Sequence, residues 1–311
     1  MITGPSALQL RDVTPPAPGP GQVRIQVEGC GVCGSDLPVW VGRPWFEYPR
    51  APGSPGHEAW GRIDAVGPEV SGLSPGQRVT GLGYRSYAAL DLIDAGALVI
   101  LPDALDGQPV PGEGLGCAVN VFRRSGIGSG DWVAVVGVGF LGALVIQLAA
   151  RAGAHVIAVS RRPFSLEVAQ AMGALATLSL AEPVADRVRE LTGGALCDVV
   201  VEAAGTQPTL DVAGPLAKVR GRLVIAGFHQ DGHRRVDMQL WNWRGLDVIN
   251  AHERDPAVYV EGMRAAVTAI AEGRLDPVPL YTHRFSLAGL DEALETARKR
   301  PDGFVKALVM T

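Results

Sequence analysis

Apolar and polar residues change their rhythm along the chain near residue 119. Before it, short alternating runs predominate. Gln22–Glu28 reads QVRIQVE, with Val23, Ile25 and Val27 on one side, the period of a half-buried strand. Gly61–Val66, Gln77–Thr80 and Leu98–Leu101 are similar short runs, punctuated by Gly-Pro and Pro-Gly turn signals. After residue 119 the pattern becomes strand, helix, strand. Trp132–Val136 (WVAVV) is continuously apolar, as a strand buried on both faces must be. Phe140–Ala152 has helical spacing, and His155–Val159 is a second buried strand. Pro163–Met172 reads as a helix opened by proline and closed by Gly173. Asp198–Val201, Arg222–Ala226 and Asp247–Ile249 are further strands, and Pro256–Glu272 is a helix ended by Gly273. This alternation predicts an α/β fold, a doubly wound parallel sheet with helices on both faces, preceded by a mostly β unit. The last stretch, Arg284–Thr311, holds a helix, Leu287–Lys299, and a strand, Val305–Met310. It could finish the sheet or return to the first unit.

The strand at 132–136 runs into Gly137-Val-Gly139-Phe140-Leu141-Gly142, which fits G-x-G-x-x-G. The motif alone is weak, but here it joins a buried strand to a helix, the context that gives it meaning. Glycines allow the tight turn, and the helix start offers N–H groups and a positive dipole end to a pyrophosphate. The second strand ends at Val159 and is followed by Ser160-Arg161-Arg162. A site for NAD carries a carboxylate there for the ribose hydroxyl. One hydroxyl and two guanidiniums suit a 2′-phosphate instead, so NADP(H) is the expected cofactor.

The four cysteines, at 30, 33, 117 and 197, are too few for a disulfide scaffold in 311 residues. The first residues lack a basic stretch followed by an apolar run, so no signal peptide is read. The apolar segment 132–150 is broken by Gly137, Gly139 and Gly142 and carries Gln147, so no membrane span is read. A cytoplasmic setting is the expectation. The net charge of -4 gives no pull towards nucleic acid or an acidic membrane.

Gly31-Val-Cys33-Gly-Ser35-Asp36 and Gly56-His57-Glu58 lie 24 residues apart, counted from Cys33 to His57. They offer a thiolate, an imidazole and a carboxylate, all zinc ligands. The run Gly56-His57-Glu58, two residues, Gly61, five residues, Gly67, two residues, Val70 resembles the zinc signature of the medium-chain alcohol dehydrogenase superfamily. The 31–36 run resembles its first zinc loop, and the order of zinc loops, glycine motif and C-terminal return is the family's. The similarity extends from about Val23 to Val309 and is closest to the polyol, sorbitol and threonine dehydrogenase branch.

The resemblance implies a GroES-like, zinc-binding catalytic domain at 1–118 and 284–311, and a Rossmann NADP(H)-binding domain at 119–283. It implies Cys33 and His57 as zinc ligands, with Glu58 a ligand or an exchanging neighbour. A further ligand position falls on Glu113, with Cys117 as its rival. Asp36 matches the carboxylate that orients the ligand histidine. No cysteine follows Val79 closely, so one catalytic zinc is expected and no structural one. The position of the family's relay histidine holds Pro38, which leaves Ser35 to pass the proton and the outer relay open. His229 and His252, each after a strand end, could serve it, although turn histidines are the simpler reading.

Cys30 and Cys197 read as packing. Trp241 and Trp243 could line a pocket or a subunit contact. The implied activity is hydride transfer between NADP(H) and a secondary alcohol/ketone pair or aldehyde, polyol- or sugar-derived, by a homodimer or homotetramer. A zinc-free enoyl or quinone reductase of the same superfamily would lack the cysteine and Gly-His-Glu ligands. A non-catalytic NADP(H) sensor would be indifferent to metal.

Overall fold

The computed structural model describes residues 1–311. In chain order it holds β1 (Ile2–Gly4), β2 (Ala7–Leu8), β3 (Gln22–Gly31), α1 (Leu37–Val41), β4 (Glu58–Val66), β5 (Arg78–Leu82), β6 (Leu90–Asp94), β7 (Leu98–Ile100) and α2 (Gly112–Ser125). The strand–helix series follows: β8 (Trp132–Val136), α3 (Phe140–Arg151), β9 (His155–Ser160), α4 (Pro163–Ala171), β10 (Ala176–Ser179), α5 (Val184–Leu191), β11 (Cys197–Glu202), α6 (Gln207–Leu216), β12 (Ala217–Ile225), α7 (Met238–Arg244) and β13 (Asp247–Asn250). The chain ends with α8 (Pro256–Ala271), β14 (His283–Ser286), α9 (Leu290–Lys299) and β15 (Ala307–Met310). No helix is long and apolar enough to cross a membrane.

Two compact units result: Met1–Gly116 with Arg254–Thr311, and Cys117–Glu253. The first has a seven-stranded sheet of order β14-β15-β3-β4-β5-β7, with β6 also paired to β3. The alternation seen in QVRIQVE turns Val23, Ile25 and Val27 into one core with Ala59, Ile63, Val79, Ile93 and Leu98. A second core forms from Ile2, Cys30, Val32, Trp40, Leu290, Leu294, Phe304 and Val309.

The return to this unit comes at Arg254, thirty residues before the expected 284. The alternation places the Pro256–Glu272 helix in the strand–helix series. Instead α8 packs against β5 and β7 of the first unit, burying Val260, Met263, Ala266 and Val267. Gly116 sits so close to Met263 N that a Cβ would lie 2.7 Å from it. An amphipathic stripe shows that a helix has a buried face, not which sheet covers it.

The second unit is a six-stranded parallel sheet of order β10-β9-β8-β11-β12-β13. Its central strands are apolar throughout because both faces are covered: Val133–Val136 and Val156–Val159 are fully buried. The order reverses beside β8, so the carboxyl ends of β8 and β11 flank the point where such sheets bind ligands.

One backbone contact holds the first unit's sheet tightly. Gly61 pairs with Val27, and a Cβ there would stand 2.0 Å from the Gln26 carbonyl oxygen. Gly61→Ala must spread β3 from β4. We expect a loss of about 1–3 kcal/mol, the usual cost of overpacking, read as a lower urea midpoint. An unchanged midpoint would mean the two strands are not pressed together as described.

Candidate active site

β3 and β4 run antiparallel, with Gly31 opposite Glu58. The chain therefore leaves the sheet and re-enters it at the same end. Cys33 lies two residues beyond β3, and His57 stands just before β4. Residues 24 apart in sequence thus become neighbours: the donor atoms of Cys33, His57 and Glu58 all lie within 4.8 Å of one another. Glu113, in the first turn of α2, brings Oε2 to 3.9 Å from His57 Nε2. Ser35 Oγ is 3.3 Å from the same nitrogen. Cys117 stands one turn further along α2; the donors gathered within 4.8 Å are Cys33, His57 and Glu58. Bonds of about 2.0–2.3 Å put the donors of one tetrahedral ion about 3–4 Å apart, so this set fits zinc in chemistry and needs only a small contraction to close on it.

A buried layer orients these groups. Asp36 is fully buried, with Oδ1 3.3 Å from His57 Nδ1. The same nitrogen is 2.9 Å from the Pro55 carbonyl, to which it donates. That arrangement turns Nε2 towards Ser35 and Glu113. Asp36 Oδ2 accepts the Tyr87 hydroxyl at 2.6 Å and the Cys33 N–H at 2.9 Å. Burial alone would lower the His57 pKa, but the Asp36 carboxylate and the Cys33 sulfur outweigh it and hold the imidazole well above its usual value. Burial and the Asp36 charge push the Tyr87 phenol well above its usual value, so it stays a donor.

Lys306 is a site residue that the sequence reading missed. β15 pairs with β3, Leu308 opposite Gly31, and so carries the buried Lys306 to Glu58. Its Nζ donates to Glu58 Oε1 at 2.7 Å and lies 2.6 Å from Oε2. The second contact is an ion pair without hydrogen-bond geometry, since Oε2 accepts no directed bond. Burial would lower the ammonium's pKa; the Glu58 charge outweighs it and raises it. The signal was a lone lysine in the apolar run FVKALVM, because a buried lysine is almost always paired.

Other polar residues sort as follows. Cys30 is buried in β3, and burial pushes its thiol far up. Burial pushes Cys197 up to about 12. Both behave as core. His229 donates through Nε2 to Glu202 at 2.9 Å, while Nδ1 accepts from Arg234 Nε at 2.9 Å. With both ring nitrogens engaged, it serves as a brace in its turn. His252 is exposed, and its carbonyl accepts from Arg124. Trp241 packs against the second unit's core, whereas Trp243 is 88% exposed.

The glycine motif lies where its context required. β8 ends at Val136, Gly137 takes φ +104°, and α3 begins at Phe140. A Cβ on Gly142 would meet the Gly137 carbonyl oxygen at 2.1 Å, whereas one on Gly139 would meet nothing. The loop is tight against itself and open outward at Gly139, as a phosphate cradle must be. Leu141, like Phe140, falls in the first turn of α3.

Gly137 abuts Ala203 and Ala204, which follow β11. The fully buried Glu202 ties that turn down by accepting from Ala204 N, Gly205 N and Thr209 Oγ1. Ser160 ends β9 buried and accepts the Arg162 N–H at 3.3 Å. Arg161 is exposed and Arg162 half-buried at the start of α4.

The family described as alcohol dehydrogenase GroES-like domain matches residues 19–91, and the family described as zinc-binding dehydrogenase matches residues 141–268. A sorbitol dehydrogenase of Halalkalibacterium halodurans is 27% identical, with 89% of each chain covered. An L-galactonate-5-dehydrogenase of Escherichia coli is 25% identical over 90% of this chain and 89% of its own. A solved structure described as a zinc-binding dehydrogenase from Sinorhizobium meliloti 1021, bound to NADP, has TM-score 0.84 and 29% identity, covering 97% of this chain and 95% of its own. A 2R,3R-butanediol dehydrogenase from Bacillus subtilis has TM-score 0.86 and 25% identity, covering 99% and 98%. With these matches spanning both units, the chain belongs to the zinc-containing medium-chain alcohol dehydrogenase superfamily, in its polyol-dehydrogenase-like branch.

Proposed function

We propose that this protein is a zinc-dependent oxidoreductase that moves a hydride between NADP(H) and a secondary alcohol/ketone pair or aldehyde of the polyol or sugar-derived class. The observation that carries this reading is the convergence of Cys33, His57 and Glu58 within 4.8 Å, with Glu113 beside His57. Sorbitol and galactonate dehydrogenases among its relatives support the substrate class, and the NADP-bound structural relative supports the cofactor.

Cys33, His57 and Glu113 would hold the ion, with Glu58 beside it in the grip of Lys306. When bound, zinc supplies a Lewis acid for the substrate oxygen, and the nicotinamide supplies the hydride chemistry. The chain's own residues do the rest. Asp36 and the Pro55 carbonyl keep the His57 proton on Nδ1. Ser35 Oγ, beside His57 Nε2, would accept the alcohol's proton while its own passes to solvent water, so no charge builds on it. The Gly137–Gly142 loop and the start of α3 receive the pyrophosphate. Ser160, Arg161 and Arg162 receive the 2′-phosphate, because no carboxylate stands there to repel it.

The working form is a homodimer or homotetramer. Exposed Met238, Trp243 and Val248, on α7 and the edge strand β13, support a subunit contact there.

Protein purified without added metal should carry about one zinc per chain, lost together with activity on chelation. Cys33→Ser should abolish turnover and zinc binding while NADPH still binds. A chain that takes up no zinc even on reconstitution would instead be a zinc-free reductase or a cofactor sensor. Arg161→Ala with Arg162→Ala should weaken NADPH at least tenfold and leave NADH nearly untouched, each lost phosphate contact being worth about 1.5–3 kcal/mol. An unchanged NADPH/NADH preference would sink the assignment of these arginines.

A further inference from the structure

Thr80 is fully buried in the middle of β5, and its hydroxyl bonds to backbone groups rather than to the candidate ligands' side chains. Its hydroxyl nevertheless serves backbone groups beside two of them. Oγ1 lies 2.7 Å from the Ala59 carbonyl and 2.9 Å from the Val110 carbonyl, and it accepts the Gly112 N–H at 3.0 Å. A hydroxyl has one proton and two lone pairs. It therefore donates to one of the two carbonyls at a time and can accept from Gly112 throughout.

Ala59 follows Glu58 on β4. Gly112 opens α2 and precedes Glu113. One side chain thus ties the backbone next to Glu58 to the backbone next to Glu113. The first N–H groups of a helix have no partner within it, so the place where Gly112 finds one fixes where the helix begins.

The packing is close on both sides of this tie. A Cβ on Gly112 would stand 2.4 Å from Thr80 Oγ1, and a Cβ on Gly114 would stand 3.0 Å from Glu58 Oε1. The start of α2 has little room to drift while the hydroxyl holds it. Glu113 then reaches His57 from that fixed start.

We propose that Thr80 is a positioning residue of the metal site: its hydroxyl sets the placement of Glu113 relative to Glu58 and His57, and through that the affinity for zinc. The inference rests on the reading of Cys33, His57 and Glu113 as the zinc ligands.

The test is zinc affinity of the full chain, without substrate, by competition with a chromophoric chelator. Thr80→Val keeps the shape and loses the hydroxyl. Thr80→Ser keeps the hydroxyl. Outer partners of metal ligands are worth about 10–100-fold in metal affinity, so Thr80→Val should bind zinc at least about tenfold more weakly, with Thr80→Ser restoring most of the loss. In a Glu113→Gln background, Thr80→Val should cost no further affinity, since the two act as one unit.

A Thr80→Val protein that melts earlier but binds zinc like the wild type would reduce Thr80 to a packing role. Full additivity with Glu113→Gln would also overturn the inference. If Thr80→Val does not fold, Gly112→Ala, which presses on the same hydroxyl from the helix side, takes its place with the same expectation. Failure of the ligand reading looks different: wild-type protein would bind no zinc, or Glu113→Gln alone would leave its affinity unchanged, and the inference would fall with it.

Discussion

The antiparallel pairing of β3 with β4 is the constraint on which the site depends. Its register puts Gly31 opposite Glu58, so the loop that leaves one strand and the loop that enters the other share one end of the sheet. A slip of one residue would turn each side chain to the other face. Cys33 and His57 would then part. The register is held by the interlocked Val23, Ile25, Val27, Ala59 and Ile63 on the core face, and by a glycine at 61 where no side chain fits. β15 adds a third strand to the same end and brings Lys306 with it.

Several ionisable groups are buried at that end: Asp36, Glu58, Glu113 and Lys306. A bare carboxylate in such surroundings is costly unless it is paired or bound to a cation. The protein meets this in two ways. Glu58 has Lys306 on both oxygens. Asp36 has Tyr87, the Cys33 N–H and the edge of His57. Two carboxylate oxygens, Asp36 Oδ1 and Glu58 Oε2, still accept no directed hydrogen bond. Both belong to residues at or directly behind the gathered donors, an arrangement suited to a positive charge at that place.

The second unit applies a different device. Its sheet leaves loose ends at the carboxyl edge of β8 and β11, and these are tied to one another rather than to side chains of a core. Gly137 lies against Ala203 and Ala204, and Glu202 draws in three donors from the turn after β11. His229 and Arg234 extend the same tie to the turn after β12. The glycine turn is thereby held in place by its own fold, which would lower the ordering cost of binding a ligand there.

Much of this was legible in the amino-acid order, and for definite reasons. Short apolar runs such as WVAVV and HVIAV, rich in β-branched residues and bounded by turn signals, read as strands covered on both faces, so β8 and β9 were plain, and the glycines that follow β8 pointed to a phosphate loop. Cys33, His57 and Glu58 stood out because their spacing with Gly61 and Gly67 forms one recognisable signature. The helix α2 was hidden, because Gly112, Gly114 and Gly116 weaken its first turns and only packing stabilises it. The sheet joined by α8, the brace from Tyr87 to Asp36 and the approach of Lys306 to Glu58 were also beyond reach. Residues 36 and 87, or 58 and 306, are distant along the chain, and local periodicity carries no record of which distant strands pair. Sequence alone determined most strands and helices and the motifs around Cys33, His57 and the glycine turn, because those follow from near neighbours. Tertiary structure decided which buried charge faces which, because that depends on the order and register of strands across the sheet.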